Sequence, residues 1–236
     1  MAYSARALLG FAEDGDVSSI ADALDAGTAI DAPIAKGKTL LIIAAEKGHT
    51  EACRMLVRKG ACLETQSDAG RTALSVACFS GHTDTALALL DLGANLETLD
   101  VHCQTPLILA AWKGHTALAV ALVKRGAKIN ALSSNRMTAL MAAASEGDVE
   151  TSMMLVELGA GAAFVSNAGL TAAQLLSSQA SPEAGAALAE RAEAAARERA
   201  AAEAERQRRI RMARLDVALV SLEKEVCKLE ARSATI

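Results

Sequence analysis

The residues best suited to chemistry in this chain are four histidines and five cysteines. His49, His82 and His115 each follow a glycine and recur every 33 residues. If this spacing reflects stacked helical layers about 10 Å apart, the three imidazoles are too far apart to share a metal ion, whose bonds are about 2 Å long. We predict that these histidines bond local backbone groups and that His102 is a surface residue in a turn.

The cysteines also give no reactive pattern. Cys53, Cys62, Cys78, Cys103 and Cys227 are odd in number, and no two have the C-x-x-C spacing. Reduced thiols are therefore the simplest expectation. The chain also lacks the sequence patterns of nucleotide-binding loops, zinc proteases and serine hydrolases. We predict a protein that is not an enzyme, with no catalytic residues, no metal site and no cofactor.

Composition and charge restrict the classes of partner. The 236 residues are 52% hydrophobic but only 2% aromatic, so the core must be built from Ala, Leu, Val and Ile. The net charge of −4 gives no overall case for nucleic acid or an anionic membrane. Without the apolar run of a signal peptide or a membrane span, we expect a cytoplasmic protein. A cytoskeletal or ciliary assembly and the nucleus stay open as locations.

A 33-residue period organises most of the chain. Thr recurs at 39, 72, 105, 138 and 171, and one Gly series runs through 15, 48, 81, 114 and 147. A second Gly series runs through 27, 60, 93, 126 and 159. Self-similarity at this period indicates stacked helical repeats. In each unit the Thr is expected to cap a first helix, and the second Gly is expected to end a second helix.

The repeated units resemble a known family. TLLIIAAEKGHTEACRMLVRKGA, TALSVACFSGHTDTALALLDLGA, TPLILAAWKGHTALAVALVKRGA and TALMAAASEGDVETSMMLVELGA resemble ankyrin repeats, with Thr, Ala-Ala, Gly-His and Gly-Ala in register. The resemblance implies an all-α ankyrin-repeat solenoid of helix-turn-helix units joined by hairpin turns. We assign residues 1–34 to an N-terminal capping repeat, 35–166 to four full repeats and 167–181 to a degenerate terminal repeat. The long helix that follows is assigned to residues 182–236.

One departure from the family concerns what holds the repeats together. The family's T-P-L-H motif keeps its proline only at Pro106 and its His nowhere, and that His normally ties neighbouring hairpins together. We therefore expect these repeats to be held more by apolar packing. The His position is occupied by Ile42, Ser75, Ile108, Met141 and Gln174.

Two of the five aromatic residues share a repeat position. Phe79 and Trp112 lie at the end of the first helix in adjacent repeats, a position that faces the concave groove in ankyrin repeats. We predict that they form a protein-binding hot spot, about 10 Å apart. The alternative is that they pack on neighbouring first helices. The remaining predicted groove residues belong to the hairpin tips and helix ends: Lys36, Lys38, Glu46, Arg71, His102, Gln104, Lys113, Asn135 and Met137.

The C-terminal segment predicts a second binding element. Ser181-Pro182-Glu183 is a strong helix start, and no Gly or Pro follows Gly185. We expect a helix over 182–232 and a solenoid over 1–180 that folds without it. A coiled-coil-like seam in its second half favours docking on a partner helix over homodimerisation. This seam comprises Met212, Leu215, Leu219, Leu222, Val226 and Leu229.

Five arginines lie between the two halves of this helix, in the segment RQRRIRMAR with no acidic residue. They form either a solvated helix face or a patch that docks on an acidic surface, such as a protein, a microtubule or RNA. Without interleaved aromatic residues the case for nucleic acid is weak. The five are Arg206, Arg208, Arg209, Arg211 and Arg214.

These features predict a non-catalytic adaptor or structural subunit. Its solenoid groove would bind one protein and its C-terminal helix another, within a multi-subunit assembly. The alternative is a regulatory inhibitor or substrate receptor that masks a signalling protein and dimerises through its helix. In either case we expect protein partners and no membrane.

Overall fold

The computed structural model describes the fold of residues 3–233 and the side chains of residues 3–215. Over these residues the chain forms twelve helices and no strand, which confirms the all-α solenoid with a long C-terminal helix. The helices are α1 Ala5–Asp14, α2 Val17–Asp25, α3 Leu40–Lys47, α4 Thr50–Arg58, α5 Ala73–Ser80, α6 Thr83–Asp91, α7 Pro106–Trp112, α8 Thr116–Lys124, α9 Ala139–Ser145, α10 Val149–Glu157, α11 Ala172–Gln179 and α12 Pro182–Ser233.

The periodic threonines start the first helix of each repeat, as the sequence predicts. The Thr105 hydroxyl oxygen accepts a hydrogen bond from the backbone N–H of Ile108 at 3.3 Å. This bond satisfies one of the N–H groups that the first helical turn leaves without a partner. The same cap is made by Thr39, Thr72, Thr138 and Thr171.

The two helices of each repeat differ in burial because they occupy different layers. The first helices α3, α5, α7, α9 and α11 pack side by side in one row. In α3 every residue from Leu40 to Ala45 is buried, so this helix is apolar all round. The second helices bury one stripe each. The leucine at the centre of that stripe is fully or almost fully buried in the four full repeats and in the last one: Leu56, Leu89, Leu122, Leu155 and Leu188.

Three histidines join their repeat to the one before it, rather than bonding local backbone as the sequence interpretation held. His82 Nε2 lies 2.9 Å from the carbonyl oxygen of Glu46 in the preceding repeat. Because a carbonyl oxygen only accepts, Nε2 carries the proton. His49 and His115 make the equivalent bonds to the carbonyls of Glu13 and Phe79.

Other polar bonds also cross between repeats, in addition to the apolar packing that the sequence predicts. The backbone N–H of Asn95 donates to Glu64 Oε1 at 2.8 Å, and that of Lys128 donates to Glu97 Oε1 at 2.8 Å. Each hairpin also bonds the next through its backbone. These hairpin bonds run from the N–H of Asp68, Val101, Ser134 and Asn167 to the carbonyls of Lys36, Ala69, His102 and Asn135.

The last repeat uses the beginning of α12 as its second helix. Leu188 is fully buried, and Arg191 forms an ion pair with Glu157 of the preceding repeat at 3.0 Å. The chain divides into two compact units after Ala192. The predicted boundary at residues 181 and 182 therefore falls inside a helix pair, and we propose Ala192 as the end of the repeat unit.

The second unit, from Glu193 onward, is a single helix through Ser233. The ion pairs expected along it are present, with Arg197 Nη2 3.1 Å from Glu193 Oε2 and Arg209 Nη2 2.5 Å from Glu205 Oε1. Their i,i+4 spacing and their orientation, with Glu on the N-terminal side, both support an isolated helix.

Candidate protein-binding groove

Hairpin tips and first helices enclose a concave groove in the third and fourth repeats. Its volume is about 370 Å³. One wall is made by the hairpins around His102 and Asn135, and the other by α7 and α9. The lining residues are Arg71, His102, Gln104, Ile108, Trp112, Ser133, Ser134, Asn135, Met137, Ala142 and Ser145. Six of the eleven predicted groove residues are therefore brought together around one space.

Phe79 and Trp112 contact each other, which differs from the separation of about 10 Å expected from the sequence. Their ring centroids are 5.9 Å apart and the ring planes are inclined at 53°. Both side chains are half-buried. The long side chains lean toward each other across the space between two helical layers. The result is one continuous aromatic surface, and its role as a binding hot spot stays a prediction.

Two cations lie over these rings. The Arg71 guanidinium carbon is 4.3 Å from the Phe79 centroid. Lys113 Nζ is 4.8 Å from the Phe79 centroid and 4.5 Å from the Trp112 centroid. Each contact falls within the range for a cation–π interaction. The cations therefore cover the aromatic surface, whereas the sequence analysis predicted Arg71 and Lys113 only as groove residues.

Two carboxylates fix the positions of these side chains. Asp100, whose side chain is 1% exposed, lies 3.4 Å from Arg71 Nε. It also accepts the backbone N–H groups of His102 and Gln104 at 2.9 Å each. Trp112 Nε1 donates to Glu146 Oε1 at 2.8 Å. The guanidinium and the indole are thus held in place before any partner arrives.

The remaining predicted residues lie along the same face in earlier repeats. Lys38 and Glu46 are bonded to each other at 2.5 Å, and Lys36 is exposed at its hairpin tip. The pair occupies the repeat positions of Arg71 and Phe79. The groove face therefore changes from an internal ion pair at one end to an aromatic and cationic surface further along.

Sequence reasoning missed Asp100, Glu146 and the lining residues Ile108 and Ala142. The signal for Asp100 was present, because it occupies the position of Ser67, Ser133 and Ser166 in the 33-residue period. Ser133 Oγ accepts the hairpin N–H of Met137, as Asp100 does that of Gln104. An aspartate at this position adds a negative charge, which forms an ion pair with the neighbouring Arg71.

The exposed and buried thiols differ in their surroundings. Burial raises the pKa of Cys53 to about 12 and also raises the pKa of Cys78. Cys62 and Cys103 are exposed.

Residues 3–215 contain no group of three or more His, Cys, Asp or Glu side chains that could hold a metal ion. No helix within the part of the chain that is described is long and apolar enough to span a membrane.

A family comparison agrees with the repeat geometry. A family model described as ankyrin repeats (3 copies) matches residues 8–100 and 107–197. The chain is an ankyrin-repeat protein. Ankyrin repeats are protein–protein interaction elements and are generally not catalytic. The match extends past residue 181, in agreement with the burial of Leu188. Among curated individual proteins, none matches this ankyrin-repeat protein significantly.

The predicted docking seam of α12 can be followed only at its start. Met212 is 53% exposed and Leu215 is 50% exposed, so both are apolar side chains open to a partner. The other four seam residues, Leu219, Leu222, Val226 and Leu229, lie outside the described side chains.

In the arginine patch, Arg206 and Arg209 pair with glutamates on the same helix. Arg208, Arg211 and Arg214 have no acidic partner among residues 3–215.

Proposed function

We propose that this ankyrin-repeat protein is a non-catalytic adaptor or structural subunit with two protein-binding elements. The groove between the hairpins and first helices of the second to fourth repeats binds a segment of one protein. The second half of α12 docks on a helix of another. The assembly would be cytoplasmic, and a cytoskeletal or ciliary structure remains our candidate.

The observation that carries this proposal is the Phe79–Trp112 surface. The chain has only five aromatic residues, and two of them join into one half-exposed surface beside the 370 Å³ groove. Binding hot spots are enriched in Trp and Arg and lie in preformed pockets. Since Asp100 and Glu146 hold the surface in place, little side-chain freedom remains to be lost on binding.

The alternative function is a regulatory inhibitor or substrate receptor that masks a signalling protein and dimerises through α12. The apolar side chains of Met212 and Leu215 support either use of the helix. The charges around the seam favour a different partner helix, because a parallel homodimer would place Glu225 opposite Glu230. A structural subunit co-purifies in fixed stoichiometry, whereas a regulator exchanges on and off its target.

Quantitative affinity purification of the full chain from its source cells tests both elements at once. We expect Trp112→Ala to deplete one set of proteins and the double change Leu219→Asp with Leu222→Asp to deplete another. Phe11→Ala is the control for lost aromatic packing, because Phe11 pairs with Tyr3 at 5.7 Å in the capping repeat. Identical protein sets from wild type and both binding variants would contradict the two-element proposal.

A further inference from the structure

Two cations beside the groove lack a carboxylate partner among the described side chains, although the repeats are acidic. Residues 1–182 contain 13 Lys and Arg against 18 Asp and Glu, a net charge of −5. Three carboxylates on this face, however, are already engaged. Asp100 accepts three hydrogen bonds, Glu146 accepts the Trp112 indole, and Glu46 is paired with Lys38.

Two of the three cations beside the groove have no such partner. Lys113 and Arg136 are exposed, and neither lies within 4 Å of a carboxylate among the residues whose side chains are described. Arg71 uses Nε for Asp100, and no described residue accepts a hydrogen bond from its two terminal nitrogens. The face that meets a partner therefore carries charge that the fold itself does not neutralise.

Backbone strain supports a role for Arg136. Its φ of +57° lies in the left-handed region, which costs a non-glycine residue about 1–2 kcal/mol. The same repeat position is Gly37, Gly70 and Gly169 in three other hairpins, and in the fourth it is Cys103, which has a similar φ of +55°. The chain therefore keeps an arginine beside two groove-lining residues where glycine would be the relaxed choice, and strain of this kind concentrates at functional sites.

The floor of the groove is apolar. Ile108 and Ala142 line it, with the Trp112 ring and the Met137 side chain on either side. A side chain of the size of Leu, Met or Phe fits such a space, and its burial is worth about 1.5–3 kcal/mol. The cations lie above and beside this floor, so an apolar side chain and a carboxylate can be bound together.

Resting on the proposed function of the groove, we propose that the segment it binds is an acidic peptide with an apolar anchor. The anchor enters between Trp112 and Met137. Carboxylates of the segment bind the terminal nitrogens of Arg71, Lys113 and Arg136. A single-stranded nucleic acid fits less well, because the cations cover at least one face of each ring on which bases would stack.

Selection of a displayed library of random peptides on the immobilised full chain tests this inference. Peptides that also bind the Trp112→Ala variant are removed, and the remainder are titrated by fluorescence anisotropy. We expect them to be rich in Asp and Glu with one Leu, Met or Phe, and to bind more weakly as salt concentration rises. The double change Lys113→Glu with Arg136→Glu should weaken their binding about tenfold, because exposed charge pairs contribute modestly.

Arg58→Glu with Lys124→Glu is the matched control, since it makes the same change in net charge at exposed positions on α4 and α8, outside the groove lining, and should leave the affinity unchanged. Peptides that need Trp112 but are neutral or basic would overturn the proposal of an acidic segment and leave groove binding intact. Peptides whose affinity is unchanged by Lys113→Glu with Arg136→Glu would do the same. If no peptide needs Trp112, or if an oligouridine binds more tightly than the peptides in a Trp112-dependent manner, both the inference and the proposed groove function fail.

Discussion

At the scale of single residues, the polar contacts of this solenoid either stay within one helical turn or join two repeats. Thr39 and its periodic equivalents cap their helices by bonding a backbone group only three residues away. The bond from His82 to the Glu46 carbonyl spans 36 residues, and the Arg71–Asp100 pair spans 29. Such contacts depend on how two layers stack, which the period alone does not specify.

The histidine links predict a specific loss of stability. His82→Ala removes the bond to Glu46 and the ring that lies over Gly48. We expect the free energy of unfolding to fall by about 1 kcal/mol, the usual net value of one buried hydrogen bond. Urea denaturation followed by circular dichroism measures the change. His102→Ala, at an exposed position, is the control and should have no effect.

The strained hairpin positions predict the opposite change. Cys103 has a φ of +55° at a position where glycine is relaxed. Cys103→Gly should raise the free energy of unfolding by about 0.5–1 kcal/mol, because removing the strain outweighs the added freedom of glycine in the unfolded chain. Thermal melting measures this change. A lowered melting temperature would mean that the cysteine side chain makes stabilising contacts that compensate for its strain.

At the scale of the helices, the second Gly series explains how the repeats join the tail. Gly159 ends α10, but the next position in the series, 192, is an alanine. With no left-handed glycine to stop it, α12 continues from the last repeat through Ser233. The buried leucines of the second helices recur every 33 residues through Leu188, and they also show that the last repeat extends into α12. Sequence reasoning followed the threonines and glycines and so ended the repeats too early.

This joint predicts which truncations fold. A fragment of residues 1–197 should retain cooperative unfolding, whereas one of residues 1–181 loses Leu188 and the Arg191–Glu157 pair. We therefore replace the expectation that residues 1–180 suffice. In the full chain, Leu188→Ala should cost about 2–5 kcal/mol, and Leu215→Ala, at a half-exposed position, should cost little. Equal stability of the two fragments would show that α12 adds nothing to the last repeat.

At the scale of the whole molecule, the sequence predicted the architecture and the general class of function better than the geometry of the site. The 33-residue period identifies a solenoid because each repeat contacts only its neighbours. The groove face was also predictable, since hairpin tips and helix ends recur in register. The contact between Phe79 and Trp112 was not, because the layer spacing says nothing about the direction in which two long side chains lean.

The most direct test of this account compares the affinity and stability of two aromatic variants. Once the groove-dependent partner is in hand, isothermal titration gives the Kd of the wild type, Trp112→Ala and Phe11→Ala, and calorimetry gives their melting temperatures. We predict an affinity loss of about 30-fold for Trp112→Ala, since hot-spot truncations cost about 2 kcal/mol or more. Phe11→Ala should lower the melting temperature and leave the affinity unchanged. A Trp112→Ala variant that melts earlier but binds its partner as tightly as the wild type would contradict the account.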